Sequence, residues 1–242
     1  MKYGILSDIH GNLEAMEAVL EALGEVDSYL CLGDVVGYGA NPNECCARIR
    51  EIAAVTILGN HDEVALGRMD LAWFNSFARL AAEWTISQLT PETRDFLERL
   101  EPTAQVGDLT LAHGSLDDPW AYITHPLEAR DSFERLKTPV GFFGHTHLAE
   151  YYWQRQPHGR VWLKELVHGG RVTLDPRCRY LINPGSVGQP RDGNWYASAA
   201  LYDSTTQQVE VLRVPYDLAT AQAKMQAAGL PSFLWQRLAE GR

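Results

Sequence analysis

Five places in the chain put aspartate, asparagine or histidine directly behind a short apolar run. Ser7-Asp8-Ile9-His10 follows Leu6, Gly33-Asp34 follows Leu32, and Gly59-Asn60-His61-Asp62 follows Leu58. His113-Gly114 follows Ala112, and Gly144-His145-Thr146-His147 follows Phe143. Five of the eight histidines fall in these segments, which makes imidazole chemistry the first question to ask of them. Taken singly, each has a bland explanation: an aspartate can cap the next helix, and Gly-Asp is turn chemistry. Their ordered recurrence after apolar runs points to a metal centre instead. Carboxylate, amide and imidazole donors together suit borderline divalent ions such as Mn, Fe, Zn or Ni. The donors are too many for one ion and about right for two, which stand about 3.5–4 Å apart and need a carboxylate able to bridge.

Such donors converge only if the runs before them are strands of one assembly, with ligands at their carboxyl ends. The N-terminal part has that grammar. Tyr3–Leu6, Tyr29–Leu32 and Ala54–Leu58 read as strands. Between them, Leu13–Leu23 has helical apolar spacing, and Asn41-Pro42 opens a helix to about Ile52 with asparagine as cap and proline at the first position. This is the pattern of a parallel sheet between helices. Val64 to Leu100 reads as a helical insertion, whose Trp73, Phe74 and Trp84 are expected in the core. Val106–Ala112 and Val140–Phe143 are further strands, with a helix near Pro126–Leu136 between them. After His147 come strand-like runs at Glu150–Trp153, Val161–Leu166, Arg179–Ile182, Ala197–Tyr202 and Val209–Val214, read as a second, largely antiparallel sheet. A helix near Leu218–Ala228 and a short tail close the chain. The expectation is one domain over residues 1–242, two packed sheets with outer helices and an insertion at about 64–100.

Composition narrows the partners. Apolar residues are 45 % of the chain and no apolar run approaches the roughly 20 residues of a membrane span, so a soluble, cytoplasmic protein without membrane contact is expected. The opening MKYGILSDIHGN lacks the long apolar core of a signal peptide. A net charge of −10 argues against strong nonspecific binding of nucleic acid, while leaving room for a local positive site. Cys31, Cys45, Cys46 and Cys178 have no paired spacing and read as reduced thiols. His125, His158 and His168 fall outside the motifs and read as surface or turn histidines.

The ordered set DIH, GDVVG, GNHD, HG and GHTH resembles the calcineurin-like metallophosphoesterase superfamily over roughly Met1 to Asp192. It looks closest to small bacterial and archaeal phosphodiesterase-type members, which have similar SDIHGN, GDxVGYG and NPGSVGQPRD stretches. The resemblance implies an α/β (α+β) fold, a four-layer αββα sandwich of two mixed β-sheets flanked by helices. It implies that Asp8, His10 and His147 bind the first metal, that Asp34 bridges, and that Asn60, His113 and His145 bind the second. Two divalent ions follow as cofactors, manganese first, with iron, zinc, nickel and magnesium as alternatives.

The activity implied is hydrolysis of a small phosphate ester, a phosphodiester before a monoester, with a nucleotide-like ester among the candidates. In such a reaction a metal-bridging hydroxide attacks phosphorus in line. By the same resemblance His61 is catalytic, as general acid on the leaving oxygen or as charge stabiliser. Three residues are candidates for substrate contact. Arg191 clamps a phosphate oxygen or is solvated, Tyr38 faces the site or packs, and Asn12 touches substrate or fixes the loop before the first helix. One departure bears on substrate: where protein phosphatases of the superfamily continue GDxVDRG, this chain has Gly37-Tyr38-Gly39, which disfavours a phosphoprotein. The rival readings are a phosphomonoesterase or protein phosphatase, and a non-catalytic protein-binding scaffold of the same fold. The full ligand set and His61 weigh against the scaffold. A monomer and a homo-oligomer both stay open.

Overall fold

A computed structural model describes residues 1–155 and 159–242; His158 lies outside the described residues. The chain opens with β1 (Lys2–Leu6), α1 (Leu13–Leu23), β2 (Ser28–Cys31), α2 (Pro42–Ile52) and β3 (Ala53–Thr56). These three strands are parallel neighbours, β1 with β2 and β2 with β3. The helices form for local reasons. In α1 the residues Ala15, Met16, Val19, Leu20 and Leu23 are buried along one stripe, and the Asn12 side chain accepts from Ala15 N at the start. Pro42 opens α2 as expected, but Asn41 makes no side-chain cap; the amide of Asn43 instead donates to Gln88 O across the insertion.

After β3 come α3 (Asn60–Ala65), a 3₁₀ turn at Leu71–Trp73, α4 (Ser76–Gln88) and α5 (Pro91–Leu97), the last three of which lie in the expected insertion. Asn75 caps α4 and Thr90 caps α5. Here an expectation fails. Trp73 is 82 % exposed, because it sits on a 3₁₀ turn none of whose residues is buried. Phe74 and Trp84 are half-buried beside Tyr38 and the C-terminal helices.

The second sheet begins with β4 (Thr103–Val106) and β5 (Leu109–Ala112), an antiparallel pair joined at Gly107-Asp108. The sequence suggests a single strand here; Gly107, at φ 55°, breaks it. Next come α6 (Pro126–Arg135), β6 (Val140–Phe142), β7 (Ala149–Arg155), β8 (Val161–Glu165), β9 (Gly170–Thr173), β10 (Cys178–Pro184), β11 (Ala197–Asp203) and β12 (Gln208–Val214). The last elements are α7 (Leu218–Ala227) and α8 (Ser232–Gln236).

The strands after His147 do not form a sheet of their own. One sheet runs β3-β2-β1-β11-β12-β9 and the other β4-β5-β6-β10-β7-β8. Each has a parallel half, β1 to β3 in one and β5, β6 and β10 in the other, completed by antiparallel strands from the C-terminal part and, in the second sheet, by β4 as well. The reason is pairing across the whole chain: β11 lies against β1 in the register Lys2↔Asp203. Between the sheets Ile5, Leu30, Leu111, Phe142, Ile182 and Ala200 form one buried cluster. Outside them, α1 and α2 cover the first sheet and α6 the second. The architecture is therefore a sandwich of two mixed sheets flanked by helices, with both parallel halves presenting their carboxyl ends at one edge.

Candidate metal centre

At that edge six loops meet, following β1, β2, β3, β5, β6 and β10. Backbone hydrogen bonds tie them together: Asp8 N donates to Gly33 O at 3.1 Å, His10 N to Asp34 O at 2.9 Å, Gly144 N to His113 O at 2.8 Å and Gly188 N to Asp8 O at 3.0 Å. The loops pack so closely that a Cβ on Gly144 would collide with Ser7 Oγ. Asp8, His10, Asp34, Tyr38, His145 and His147 all have left-handed backbones, with φ between 50° and 68°. That conformation is uncommon outside glycine, although Asp and His tolerate it better than most residues.

The candidate ligands come together as two clusters. Ligand atoms of Asp8, His10, Asp34 and His147 lie within 4.8 Å of one another, and so do those of Asp34, His113 and His145. Asp34 belongs to both. Asn60 completes the second group, its Oδ1 at 3.1 Å from His113 Nε2. All of these residues are buried.

The donor chemistry of this nest is unbalanced in one direction. His10 Nδ1 faces Val36 O at 3.1 Å, His113 Nδ1 faces Leu32 O at 2.7 Å, and His147 Nδ1 faces Gln189 O at 2.5 Å. A carbonyl only accepts, so each of these Nδ1 atoms holds the ring hydrogen and turns an Nε2 lone pair inward. His10 Nε2 and His147 Nε2 then face each other at 3.0 Å. His145 is oriented the other way, with Nε2 on Trp120 O at 3.0 Å. Each aspartate has one oxygen satisfied and one turned to the imidazoles. Asp8 Oδ2 accepts from Ser7 Oγ at 2.6 Å and from His145 N at 3.1 Å, while Oδ1, also 3.3 Å from that N–H, is 3.3 Å from His147 Nε2. Asp34 Oδ1 accepts from His61 N at 2.8 Å. Asp34 Oδ2 is buried without a hydrogen-bond partner, 3.3 Å from His113 Nε2 and 3.6 Å from His10 Nε2. Inward-facing acceptors buried together call for cations. The residues present therefore fit a pair of divalent ions.

Ionisation points the same way. Burial pushes Asp8 and Asp34 upward, but the facing imidazoles, His147 for Asp8 and His113 for Asp34, outweigh it and hold both carboxyls below their usual range. His113 is the exception: against the opposing effect of burial, Asp34 raises it to about 9, so without an ion its Nε2 carries a proton facing Asp34, in the place a cation would take. Burial lowers His10 well below its ordinary value and takes His145 down to about 3.

His61 stands beside the ligands. Its ring centroid is 4.8 Å from His10, 4.5 Å from Tyr38 and 4.5 Å from Phe74. Gly37, which replaces the protein phosphatases' aspartate, leaves no room for any side chain: a Cβ there would stand 2.6 Å from His61 Nδ1. The rings of His10, Tyr38 and Phe74 surround His61 and hold it in place. Tyr38 faces the site, 4.8 Å from the His10 ring. Arg191 Nη2 donates to Gln189 Oε1 at 2.8 Å and its guanidinium lies 5.8 Å from the Tyr38 ring centroid. Asp34, His61, Tyr38 and Arg191 share a cavity of about 120 Å³. Asn12 is not among its lining residues: its Oδ1 caps α1 and its Nδ2 donates to Gly188 O at 2.9 Å. Of the two readings of Asn12, its bonds are those of the second, fixing the loop before α1 and joining it to the loop at Gly188. His125 is an exposed helix cap and His168 is exposed.

Two groups at the site escape sequence reasoning. Asp62 accepts from Asp34 N at 2.8 Å, Gly59 N at 3.0 Å and Val36 N at 3.1 Å, and so anchors the loop carrying Asp34. Its place at the end of GNHD, behind a strand end, was the available signal. Trp120 and Tyr122 line a second, adjoining cavity; the signal there was two aromatics in a proline- and aspartate-containing loop.

Known proteins are similar to this chain in sequence and fold. The calcineurin-like phosphoesterase superfamily domain matches residues 1–207. The uncharacterized protein MJ0912 of Methanocaldococcus jannaschii is 37 % identical over 246 residues, spanning 98 % of this chain and 97 % of its own length. A crystallised metallophosphoesterase from Sphaerobacter thermophilus is 41 % identical with a TM-score of 0.90, covering 100 % of this chain and 99 % of that one. Hypothetical protein PH1004 of Pyrococcus horikoshii shares the fold, with a TM-score of 0.77 at 20 % identity and coverage of 100 % and 98 %. Sequence match, sheet order and the buried clusters at the strand ends agree, and the chain belongs to the calcineurin-like phosphoesterase superfamily.

Proposed function

We propose that this chain hydrolyses a small phosphate ester, a diester in preference to a monoester, at a pair of divalent ions. Asp8, His10, Asp34 and His147 would hold the first ion, and Asp34, Asn60, His113 and His145 the second, with manganese the first choice. The observation that carries the reading is Asp34: it belongs to both clusters, and its Oδ2 is buried and unpartnered between their imidazoles. When bound, such a pair generates a hydrolytic nucleophile from water near neutral pH and neutralises phosphate charge.

The chain's own groups supply the rest. Outer hydrogen bonds from His10, His113 and His147 to backbone carbonyls fix each ring before any ion arrives. Arg191, held by Gln189, offers a guanidinium to a non-bridging phosphate oxygen. Burial lowers His61 to about 4 in the ion-free protein, and its ring beside the ligands is placed to serve the phosphate or leaving oxygen, as general acid or as charge stabiliser. The preference for a diester rests on Gly37-Tyr38 in place of the protein phosphatases' Asp-Arg.

The test is hydrolysis of bis-p-nitrophenyl phosphate against p-nitrophenyl phosphate by the manganese-loaded protein. Turnover with the diester ahead is expected; silence on both with metal bound would make the chain a scaffold. His61→Ala is expected to retain two bound ions and lose roughly 10²–10³-fold in turnover of an alkyl ester. A near-normal rate would remove His61 from the machinery.

A further inference from the structure

Beside the small cavity at the metal clusters lies a larger one of about 600 Å³, in the size range of small-molecule sites. The two share Asn60, Trp73, Phe74, Tyr122 and His145, so a molecule with its phosphate at the clusters extends directly into the larger space. Its walls come from two segments. The insertion supplies Trp73 and Phe74, and the loop after His113 supplies Trp120 and Tyr122.

Three features describe what fits. First, the walls are aromatic and open. Tyr122 stacks on the His145 ring, centroids 4.2 Å apart at 27°, and is still 52 % exposed, which leaves its other face free. Trp73 is 82 % exposed. An indole and a phenol left in water at a cavity rim are placed to stack on a planar ring. Second, the lining has no positive excess to compete with the metal clusters for a phosphate: Arg68 stands with two carboxylates, Asp70 and Asp118. Third, each carboxylate uses one oxygen locally, Asp70 on Ala72 N at 2.8 Å and Asp118 on Trp120 N at 3.0 Å. The other oxygen of each is available to accept from an amino group. Both walls are fastened to the centre, Phe74 against the His61 ring at 4.5 Å and Trp120 through its carbonyl to His145.

From these features we propose that the larger cavity is a nucleobase subsite, and that the substrate is a nucleoside phosphate ester whose base carries an exocyclic amine. The ring stacks between Trp73 and Tyr122, the amine donates to Asp70 or Asp118, and the phosphate lies over Asn60 and His145. This rests on the phosphoesterase reading for the direction of the phosphate, but the base subsite is testable without turnover.

Calorimetric titration of the manganese-loaded protein with AMP and with ribose 5-phosphate, which differ by the base, isolates the subsite. AMP is expected to bind roughly tenfold or more tightly, as stacking of one base allows. The ratio should collapse towards one in Trp73→Ala and in Tyr122→Ala, and persist in Trp73→Phe and Tyr122→Phe. Equal affinity of the two ligands for the parent protein overturns the proposal, as does a ratio untouched by both alanine variants. Inhibition of bis-p-nitrophenyl phosphate turnover by the same two ligands separates the two failures. An inactive protein that prefers AMP loses the phosphoesterase reading and keeps the subsite; an active one indifferent to the base does the reverse.

Discussion

The floor of the site and its wall are built on opposite principles. On the floor, Asp8 and His113 are fully buried and His10, Asp34 and His147 are 1 % exposed. They are held by loops that bond to one another through the backbone. On the wall, Trp73 and Tyr122 stand largely in solvent on segments inserted between the sheet strands. The contrast separates two tasks. Ion geometry tolerates little movement, so its donors are packed into the rigid edge of two sheets. The exposed rings of the wall sit on loops that touch this edge at only a few points, Phe74 against His61 and Trp120 O at His145.

The comparison can be broken at several points. Asp34→Ala removes the carboxylate common to both clusters. It is expected to abolish paired manganese binding in calorimetry and to lower turnover by more than roughly 100-fold, the upper end for partners one layer further out. Two ions bound normally would mean the floor does not depend on its shared member. Asp62→Ala removes only such an outer partner, the acceptor for three loop N–H groups. Metal affinity should fall by roughly 10–100-fold. An unchanged dissociation constant would show that the loop positions itself.

A third change contrasts the floor with a carboxylate outside it. Imidazoles pull Asp8 and Asp34 down, whereas Glu150, on β7, meets only the Tyr152 hydroxyl at 2.8 Å, and burial pushes it up to about 7 from 4.5. The folded state thus binds this proton more tightly than the unfolded one. The resulting stabilisation is complete below about pH 4.5 and is lost as pH rises through about 7. Glu150→Gln should therefore be more stable than the parent at pH 8, by at most on the order of 3 kcal/mol, and equal to it near pH 4. Chemical denaturation at the two pH values reads the difference; a pH-independent gap would refute the assignment. The smallest effect belongs to the wall. Trp73→Ala should leave stability within about 0.5 kcal/mol, as for other exposed positions, and a large drop in melting temperature would mean that the indole is structural after all.

The floor was legible in the sequence because its signal is local: an apolar run, then a donor, repeated in order. Asp62 was less visible, since an acid after Asn-His reads as ordinary loop or cap chemistry until its three N–H partners are in place. Sheet membership of the C-terminal strands could not be read, because β11 is placed by Lys2↔Asp203 pairing and alternation within a strand does not encode its neighbour. Trp73 misled for a related reason: large apolar residues are usually buried, and the 3₁₀ turn that exposes this one leaves little trace in periodicity. Asn12 served as a helix cap, a use its residue type predicts as readily as substrate contact.

The left-handed backbones of Asp8, His10, Asp34, His145 and His147 set selection for robustness against selection for activity. Glycine would relieve the local conformational cost at each position, about 1–3 kcal/mol by the usual measure of such sites. A library sorted only for heat resistance should therefore accumulate glycines here and yield tougher, inert proteins. Engineering for durability would have to leave these five positions alone and look to the helices and outer strands.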